Sequence, residues 1–233
     1  MRLPKGLSRL TGFPRDYVAA IFARRRLAAL PDMSDEKALE FARIFAWPGG
    51  RIRPTQETDE ILWLLDHVRA EQPRTVVEIG TDEGGTLFLW SRAAPPDALL
   101  VAIDTRPLGR LGRMSRYALV RRGFARGRQR IELLLPRDSH DPTTVEELRG
   151  LLSGAPVDFL FIDGDHSYDG VRRDFELYSP LVRPGGIIAL HDIASTIAPG
   201  IGRLWSELTE AYDTEQRVAS EFGIGLIRVR HAA

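Results

Sequence analysis

The sequence contains no cysteine, no excess of one charge and no long apolar run. Because cysteine is absent, disulfides, thiolate catalysis and thiolate metal sites are excluded, and any metal would take oxygen or imidazole ligands, which indicates Mg, Ca or Mn rather than structural zinc. Basic and acidic residues number 32 each, so no overall field favours binding to nucleic acid or to an anionic membrane. No segment reaches the roughly 20 apolar residues of a membrane span, and the first ten residues lack the apolar core of a signal peptide. We therefore expect a cytoplasmic enzyme with neither nucleic acid nor membrane as a partner.

The 233 residues, 43% of them hydrophobic, are enough for one domain with its own core and an N-terminal extension. Residues 1–54 are predicted to be a helical extension, with a helix over 16–30 that is broken by Pro31 and a turn at 48–50. The arginine run 24–26 is more typical of a solvated helix face than of an anion site. Residues 55–233 are predicted to form the main domain, which an amphipathic helix over 55–70 opens.

Strand and helix patterns alternate through the main domain. Apolar runs predict strands over 75–79, 99–104, 130–135, 157–163 and 186–191, and their nearly continuous hydrophobicity is typical of strands covered on both faces. Helices are predicted over 84–93, 111–125, 142–152, 168–180 and 199–212. Two more strands, 215–219 and 223–229, are too close for a crossover helix and should pair antiparallel. The predicted fold is therefore α/β: a doubly wound, mostly parallel seven-stranded sheet with an antiparallel last strand.

Acidic and imidazole side chains stand at the ends of two predicted strands. Asp163 follows one strand and is followed by His166, and another strand ends in His191 and Asp192. Ligands of an open parallel sheet bind outside the carboxyl ends of its strands, so we expect one site to contain all four side chains. The alternative is that both aspartates only cap the following helices or turns.

A glycine-rich turn, Glu78-Ile-Gly80-Thr81-Asp-Glu-Gly84-Gly85-Thr86, follows the first strand of the domain. It allows a ligand to approach the backbone closely, but it does not match the GxGxxG pattern of nicotinamide cofactors. Its acidic residues, which include Glu78, would repel a pyrophosphate and accept a cationic ligand. S-adenosylmethionine (SAM) has a sulfonium and an ammonium group and suits such a loop. The Thr86 hydroxyl and the amides of Gly84 and Gly85 could bind its carboxylate.

Two further strand ends are predicted to complete a nucleoside site. Asp104 ends the second strand at about the spacing at which an acid accepts hydrogen bonds from ribose hydroxyls. After the third strand, the polar turn that contains Asp138, Ser139 and His140 could bind the adenine edge, although a helix N-cap before Pro142 explains it equally well.

Together, the motifs Glu78-Ile-Gly-x4-Gly85-Thr86, Phe161-Ile-Asp-Gly-Asp-His-Ser-Tyr168 and Gly185-Gly-x4-His191-Asp192 resemble those of the class I SAM-dependent methyltransferases. The resemblance covers about residues 55–230. It is narrower to the cephalosporin hydroxylase-like and rhamnosyl O-methyltransferase-like group, which is related to the metal-dependent catechol and caffeoyl-CoA O-methyltransferases.

This resemblance implies a role for each site residue. Asp163, His191 and Asp192 correspond to ligands of a divalent cation such as Mg²⁺, beside the cofactor methyl group. His166 corresponds to a lysine that acts as general base in the relatives. Relatives usually have a carboxylate where this chain has His191, so His191 is itself a second candidate for the base. Thr86, Asp104 and the pair Ser139–His140 correspond to the residues that bind the methionine carboxylate, the ribose and the adenine.

The leading functional hypothesis is a SAM-dependent O-methyltransferase acting on a hydroxylated small molecule, such as a sugar or secondary metabolite, with a divalent cation or with His166 or His191 alone as base. A nicotinamide-dependent oxidoreductase is disfavoured because GxGxxG is absent. A SAM-binding or interaction protein without turnover is the non-enzymatic alternative, and a homo-oligomer is compatible with either. On the helix after Tyr168, the spacing of Arg172, Arg173 and Asp174 favours a solvated face over a site.

Overall fold

The computed structural model describes residues 13–105 and 111–230. Its helices are α1 (Phe13–Ala28), α2 (Asp35–Ile44), α3 (Thr58–Glu71), α4 (Gly85–Ala93), α5 (Leu111–Arg121), α6 (Pro142–Leu152), α7 (Tyr168–Tyr178) and α8 (Pro199–Ala211). Its strands are β1 (Ala46–Trp47), β2 (Gly50–Arg51), β3 (Thr75–Ile79), β4 (Leu99–Ile103), β5 (Arg130–Leu134), β6 (Val157–Ile162), β7 (Val182–His191), β8 (Asp213–Arg217) and β9 (Ile224–Arg228). Within these ranges, no helix is long and apolar enough to cross a membrane.

The main sheet has seven strands in the order β5-β4-β3-β6-β7-β9-β8. Strands β3 to β7 are parallel to one another, and β9 pairs antiparallel with both β7 and β8. The predicted fold class is therefore confirmed, including the antiparallel end of the sheet. The pairing also shows that β9 inserts between β7 and β8, so the last strand of the chain is not the edge strand.

Hydrophobic cores on both faces explain why the central strands read as continuous apolar runs. All five residues of β3 are buried, as are the last four of β4 and of β6. One core lies against α2, α3 and α4, and the other lies against α6, α7 and α8. Side chains alternate between the two faces, so each strand contributes to both cores.

The chain reverses its direction of winding at β3, which pairs with β4 on one side and with β6 on the other. The loops after β3 and β6 therefore leave the sheet next to each other, and a crevice opens between them. The residues predicted to carry the chemistry follow these strands and β7, so the topology itself places them together.

The N-terminal region contains one helix that the sequence analysis did not define. Helix α2 begins after Ser34, whose hydroxyl accepts a hydrogen bond from the Lys37 amide, and its first turn is acidic, as the helix dipole favours. Buried residues of α1 and α2 belong to the same core as α3 and α4. The predicted turn at 48–50 joins β1 and β2, a short antiparallel hairpin. A domain boundary at residue 54 stays a prediction.

Candidate functional site

A cleft of about 560 Å³ opens at the carboxyl ends of β3, β4 and β6. This volume lies within the roughly 300–1,000 Å³ range of small-ligand sites. Of the predicted site residues, seven line the cleft: Gly80, Asp104, Asp138, Ser139, His140, Asp163 and His166. Asp82, Gly164 and Asp165 complete much of its wall.

Gly80 allows the loop after β3 to pass close to the loop after β6. Its φ is +81°, and a Cβ at this position would lie 2.0 Å from the carbonyl oxygen of Asp163. A side chain is therefore excluded both by the backbone conformation and by contact with the neighbouring loop. On the other side of the loop, Asp104 Oδ2 accepts hydrogen bonds from the amides of Thr81 (3.0 Å) and Asp82 (2.9 Å). Asp104 thus holds the glycine loop as well as lining the cleft.

Glu78 lies beneath the glycine loop and does not line the cleft, whereas the sequence analysis placed it among the acidic residues that face the ligand. Its carboxylate is fully buried and accepts a hydrogen bond from Trp90 Nε1 at 2.9 Å. Burial raises the pKa of Glu78 to about 7, although the nearby polar groups of Thr81, Thr86 and Trp90 oppose the shift. The side chain is therefore partly protonated at neutral pH.

The rest of the loop's negative charge is also partly balanced. Glu83 forms an ion pair with Arg51 of β2 at 2.7 Å. The buried guanidinium of Arg121 donates a hydrogen bond to the carbonyl oxygen of Asp82. The sequence showed the acids but not these distant arginines, so the loop is less acidic than expected.

The N-terminus of α4 is covered by the backbone of residues 53 and 54, which precede α3. A Cβ at Gly85 would lie 2.2 Å from the backbone nitrogen of Pro54, so only glycine fits beneath residues 53 and 54. Gly84 begins the helix in a left-handed conformation (φ +86°). Thr81 and Thr86 are buried. These four residues border the predicted methionine end without lining the cleft, and their role in binding a carboxylate stays a prediction.

The turn after β5 forms the opposite end of the cleft. His140 Nε2 lies 3.1 Å from the carbonyl oxygen of Gly170 and 3.3 Å from Asp174 Oδ1. Tyr178 donates a hydrogen bond to the carbonyl oxygen of Ser139. Asp138 Oδ1 accepts from the His140 amide. The predicted N-cap is a separate residue, because Asp141 and not Asp138 caps α6.

The prediction that Asp174 lies on a solvated face of its helix is wrong. Its side chain is completely buried, since it lies on the same stripe of α7 as Val171, Phe175 and Tyr178. Burial raises the pKa of Asp174 to about 6, while Ser139 and His140 lower it. Helical spacing from Val171 was the signal that could have identified this buried position.

Four side chains meet beside the cleft, and we call Asp163, His166, His191 and Asp192 the His–Asp cluster. His191 Nδ1 lies 3.2 Å from Asp163 Oδ1 and 3.4 Å from Asp192 Oδ1. His166 Nε2 lies 3.5 Å from Asp192 Oδ2 and 3.8 Å from Asp163 Oδ1. The two predicted strand-end pairs therefore form one constellation, as the sequence indicated.

The two histidines differ in accessibility and in charge state. His191 is 5% exposed; burial lowers its pKa, but Asp163 and Asp192 outweigh burial and raise the pKa to about 10. The side chain of His166 is 50% exposed, and the Asp163 carboxylate 3.8 Å from its Nε2 raises its pKa. Burial raises the pKa of Asp163, but the nearby His191 and His166 lower it by more, so the net shift of the Asp163 pKa is downward. The negative charge of the carboxylates and the positive charge of the imidazoles therefore stabilise each other within the His–Asp cluster.

The cluster also fits a metal ion. Ligand atoms of Asp163, His191 and Asp192 all lie within 4.8 Å of one another. Bonds of about 2.1 Å place neighbouring ligand atoms about 3.0 Å apart in an octahedron and about 3.4 Å apart in a tetrahedron. The observed separations of 3.2 and 3.4 Å match these values. His191 Nε2 is buried and, among the described residues, has no hydrogen-bond partner, so the ring's polar contacts are made by Nδ1.

Two residues of the cluster's surroundings were missed by sequence reasoning. Gln56, in the segment before α3, is 2% exposed and donates from Nε2 to Asp163 Oδ2 at 2.8 Å. Phe222, in the β8–β9 turn, stacks on the His191 ring with centroids 6.1 Å apart. Glu60 Oε1 holds this turn through the amides of Ala219 and Ser220. Neither Gln56 nor Phe222 lies in a motif, and each is far from the cluster in sequence.

Comparison with known proteins identifies the family. Residues 77–193, about half of the chain, match the family described as Methyltransferase domain. Over 172 residues the chain is 27% identical to the uncharacterized protein y4gI of Sinorhizobium fredii, a match that covers 71% of this chain and 18% of that protein. Over 65 residues it is 35% identical to demethylmacrocin O-methyltransferase of Streptomyces fradiae, covering 28% of this chain and 16% of that enzyme. The chain thus spans only a small part of the length of these relatives.

Solved structures agree on the fold. The O-methyltransferase TomG of Streptomyces achromogenes, which is involved in tomaymycin synthesis and was solved in complex with SAM, aligns with a TM-score of 0.55 and 20% identity. The alignment covers 87% of this chain and 92% of TomG. At this identity the likeness shows the fold alone. Since the matched residues run from β3 through the His–Asp cluster, the chain belongs to the methyltransferase-domain family.

Proposed function

We propose that this chain is a SAM-dependent O-methyltransferase that transfers a methyl group to a hydroxyl of a small molecule, such as a sugar or secondary metabolite. The observation that supports this proposal most strongly is the position of the His–Asp cluster at the wall of the cleft. Asp163 and His166 line the cleft itself, and His191 and Asp192 contact them from β7 and its following turn. Groups that can move a proton or bind a cation therefore border the space in which a cofactor would lie.

The cofactor would span the cleft from one strand end to the other. The ribose would lie by Asp104 and the adenine against Ser139 and His140, all of which line the cleft. The sulfonium would lie toward Gly80 and Asp163, where the backbone approaches without a side chain. An anionic Asp163 beside the sulfonium would stabilise the bound cofactor by charge attraction.

Methyl transfer from a sulfonium is an in-line displacement: the acceptor oxygen forms a bond to the methyl carbon while the sulfur–carbon bond breaks. The acceptor hydroxyl must lose its proton to be a good nucleophile, and the protein must align it about 3 Å from the methyl group. S-adenosylhomocysteine is the second product. The residues of this chain therefore have two tasks, orientation and proton removal.

His166 is the better candidate for the base. With pKa raised to about 10, His191 is protonated at neutral pH and cannot accept a proton. His166 is half exposed and lines the cleft, so an acceptor can reach its Nε2. Its contact with Asp163 and Asp192 would stabilise the imidazolium that forms. His191 would act as a fixed partner that orients both carboxylates.

A divalent cation held by Asp163, His191 and Asp192 would lower the pKa of the acceptor hydroxyl and orient it. His191 would then bind as the neutral imidazole, with Gln56 fixing the orientation of Asp163. With or without a cation, Asp163 Oδ1 faces the imidazoles, because Oδ2 accepts a hydrogen bond from the Gln56 side-chain amide.

The first test is a calorimetric titration of the protein with S-adenosylhomocysteine, once with Mg²⁺ and once with chelator. We expect micromolar binding in at least one condition, and Asp104→Ala should weaken it while the exposed Asp97→Ala should not. Absence of binding in both conditions would refute the cofactor assignment. Equal affinity in wild type and Asp104→Ala would remove Asp104 from the ribose site.

Turnover is tested by incubation with SAM and a panel of hydroxylated sugars and phenols, with mass spectrometry of the products. His166→Ala should slow transfer by roughly 10²- to 10⁴-fold, the usual contribution of a general base, without changing S-adenosylhomocysteine affinity. His67→Ala, which alters a histidine of α3 away from the cleft, is the matched control. Cofactor binding without methylation of any compound would favour the non-catalytic alternative.

A further inference from the structure

The His–Asp cluster contains two imidazoles as well as two carboxylates, and this composition determines which ion it can select. Both histidines direct a ring nitrogen at the carboxylates, at 3.2 and 3.4 Å for His191 and at 3.5 and 3.8 Å for His166. The two His191 separations match the edge lengths of a coordination polyhedron, about 3.0 to 3.4 Å for bonds of about 2.1 Å, whereas the two His166 separations are up to about 0.4 Å longer. His166 would therefore join Asp163, His191 and Asp192 as a fourth ligand after a small shift toward them, which its half-exposed side chain allows.

The fold fixes the geometry of this cluster. Ile162 of β6 pairs with Leu190 of β7, so Asp163 and His191 leave adjacent parallel strands side by side. His166 returns toward Asp163 through a turn in which Asp165 Oδ1 accepts the Ser167 amide at 2.8 Å. This turn ends where Ser167 caps α7, so the position of His166 is fixed from both sides.

Two further features hold the side chains of the cluster in place. Asp192 has a φ of +63°, a left-handed conformation that costs a non-glycine residue free energy and turns its carboxylate toward the histidines. His191 is 5% exposed, and its ring is held by stacking on Phe222. Its Nε2 lacks a hydrogen-bond partner within the described part of the chain, so the imidazole interacts with polar groups through Nδ1 toward the cluster.

Imidazole and carboxylate ligands together favour divalent transition ions. Mg²⁺ prefers oxygen ligands and retains several waters, whereas Mn²⁺, Fe²⁺, Co²⁺ and Zn²⁺ bind imidazole well. We propose that the His–Asp cluster binds a divalent transition ion in preference to Mg²⁺, with His166 and His191 as the ligands that select it. This inference rests on the cation-binding role given to the cluster under the proposed function. It adds His166 to the ligand set, so with an ion bound the ion would lower the pKa of the acceptor hydroxyl, and His166 would hold the ion instead of acting as the base.

The test uses the chelator-treated 233-residue chain and two probes, CoCl₂ and MgCl₂. Each is titrated by calorimetry, and Co²⁺ is also followed by its visible d–d absorption, which changes when imidazole replaces water. We expect Co²⁺ to bind at least about 100-fold more tightly than Mg²⁺ at one site per chain, in keeping with the ligand set. His166→Ala should lose at least about tenfold in Co²⁺ affinity, change the absorption spectrum and leave Mg²⁺ affinity nearly unchanged.

Two variants complete the design. His67→Ala removes a histidine outside the cluster and should retain wild-type Co²⁺ affinity. His191→Asp gives the cluster a third carboxylate and should reduce the preference for Co²⁺ over Mg²⁺ by at least about tenfold. His166 is half exposed, so its variant should fold even if the change at the buried His191 does not.

Equal or tighter binding of Mg²⁺ would overturn the inference, as would a His166→Ala protein with unchanged Co²⁺ affinity and spectrum. A protein that binds S-adenosylhomocysteine but neither Co²⁺ nor Mg²⁺ would also overturn the inference, because the cluster would then be a set of ion pairs, yet the proposed methyltransferase function would stand. If neither ion nor S-adenosylhomocysteine binds the folded protein, both proposals fail.

Discussion

Glu78 should make the stability of this protein depend on pH. Its carboxyl group is fully buried under the glycine loop, and burial raises its pKa from 4.5 to about 7. In the unfolded chain the group ionises near its ordinary value, so between these two pKa values the folded protein binds a proton that the unfolded chain does not. The contribution of Glu78 to stability must therefore fall as pH rises through this interval and then level off above about pH 7.

The expected size follows from the two pKa values. The full shift corresponds to about 3 kcal/mol at 1.36 kcal/mol per pH unit, and most of it, about 2 to 3 kcal/mol, is expressed between pH 5 and pH 8. Glu78→Gln preserves an oxygen that can accept the Trp90 hydrogen bond but cannot ionise. The stability of the variant relative to wild type should therefore be about 2 to 3 kcal/mol greater at pH 8 than at pH 5.

Urea unfolding followed by tryptophan fluorescence at pH 5, 6, 7 and 8 measures this difference. Other titrating groups, among them Asp174, contribute equally to both proteins and cancel in the comparison. Glu40→Gln, on the exposed side of α2, is the control and should differ from wild type by the same amount at each pH. A constant difference between Glu78→Gln and wild type would show that Glu78 ionises normally and would refute the reasoning.

Three other outcomes are expected. Gly80→Ala should destabilise the protein by more than about 2 kcal/mol in urea and abolish S-adenosylhomocysteine binding, because the new Cβ would lie 2.0 Å from the Asp163 carbonyl oxygen at a φ of +81°. Gly150→Ala, on α6 with nothing within 4 Å of the new Cβ, should instead stabilise by up to about 1 kcal/mol. Gln56→Leu should lower the free energy of unfolding by about 1.5–3 kcal/mol, because it removes a hydrogen bond to a charged group. Gln56→Glu brings a second carboxylate next to Asp163 and should lower the free energy of unfolding by more in the same urea assay. Unchanged unfolding midpoints for these variants would contradict the contacts described.

The sequence predicted the sheet well because the central strands obey one simple rule. β3, β6 and the second half of β7 are covered on both faces, so nearly every residue is apolar, and the runs of β6 and β7 end at Asp163 and His191. The same rule located Asp163 and His191, since polar residues that directly follow such runs must lie at the carboxyl edge. The antiparallel pairing of β9 followed from the short connection to β8.

Residues that act across long sequence separations could not be predicted in this way. Glu83 appeared unpaired in sequence, but Arg51 reaches it from the hairpin, and Arg121 approaches the loop from α5. Gln56 contacts Asp163 across 107 positions. No periodicity or spacing encodes such contacts, because they depend on how separate elements pack. The charge of the glycine loop was therefore overestimated, and the residue that orients Asp163 was missed.

The segment that leads into α3 shows how the N-terminal region and the site depend on each other. Gln56 contacts the end of β6, and Glu60, one helical turn later, holds the β8–β9 turn that carries Phe222 against His191. Pro54, at the start of the segment, lies over Gly85. One short stretch of chain therefore contacts the glycine loop, Asp163 and the turn beside His191. Because α3 shares its core with α2, a disturbance of the extension's packing should be transmitted to the His–Asp cluster through this stretch.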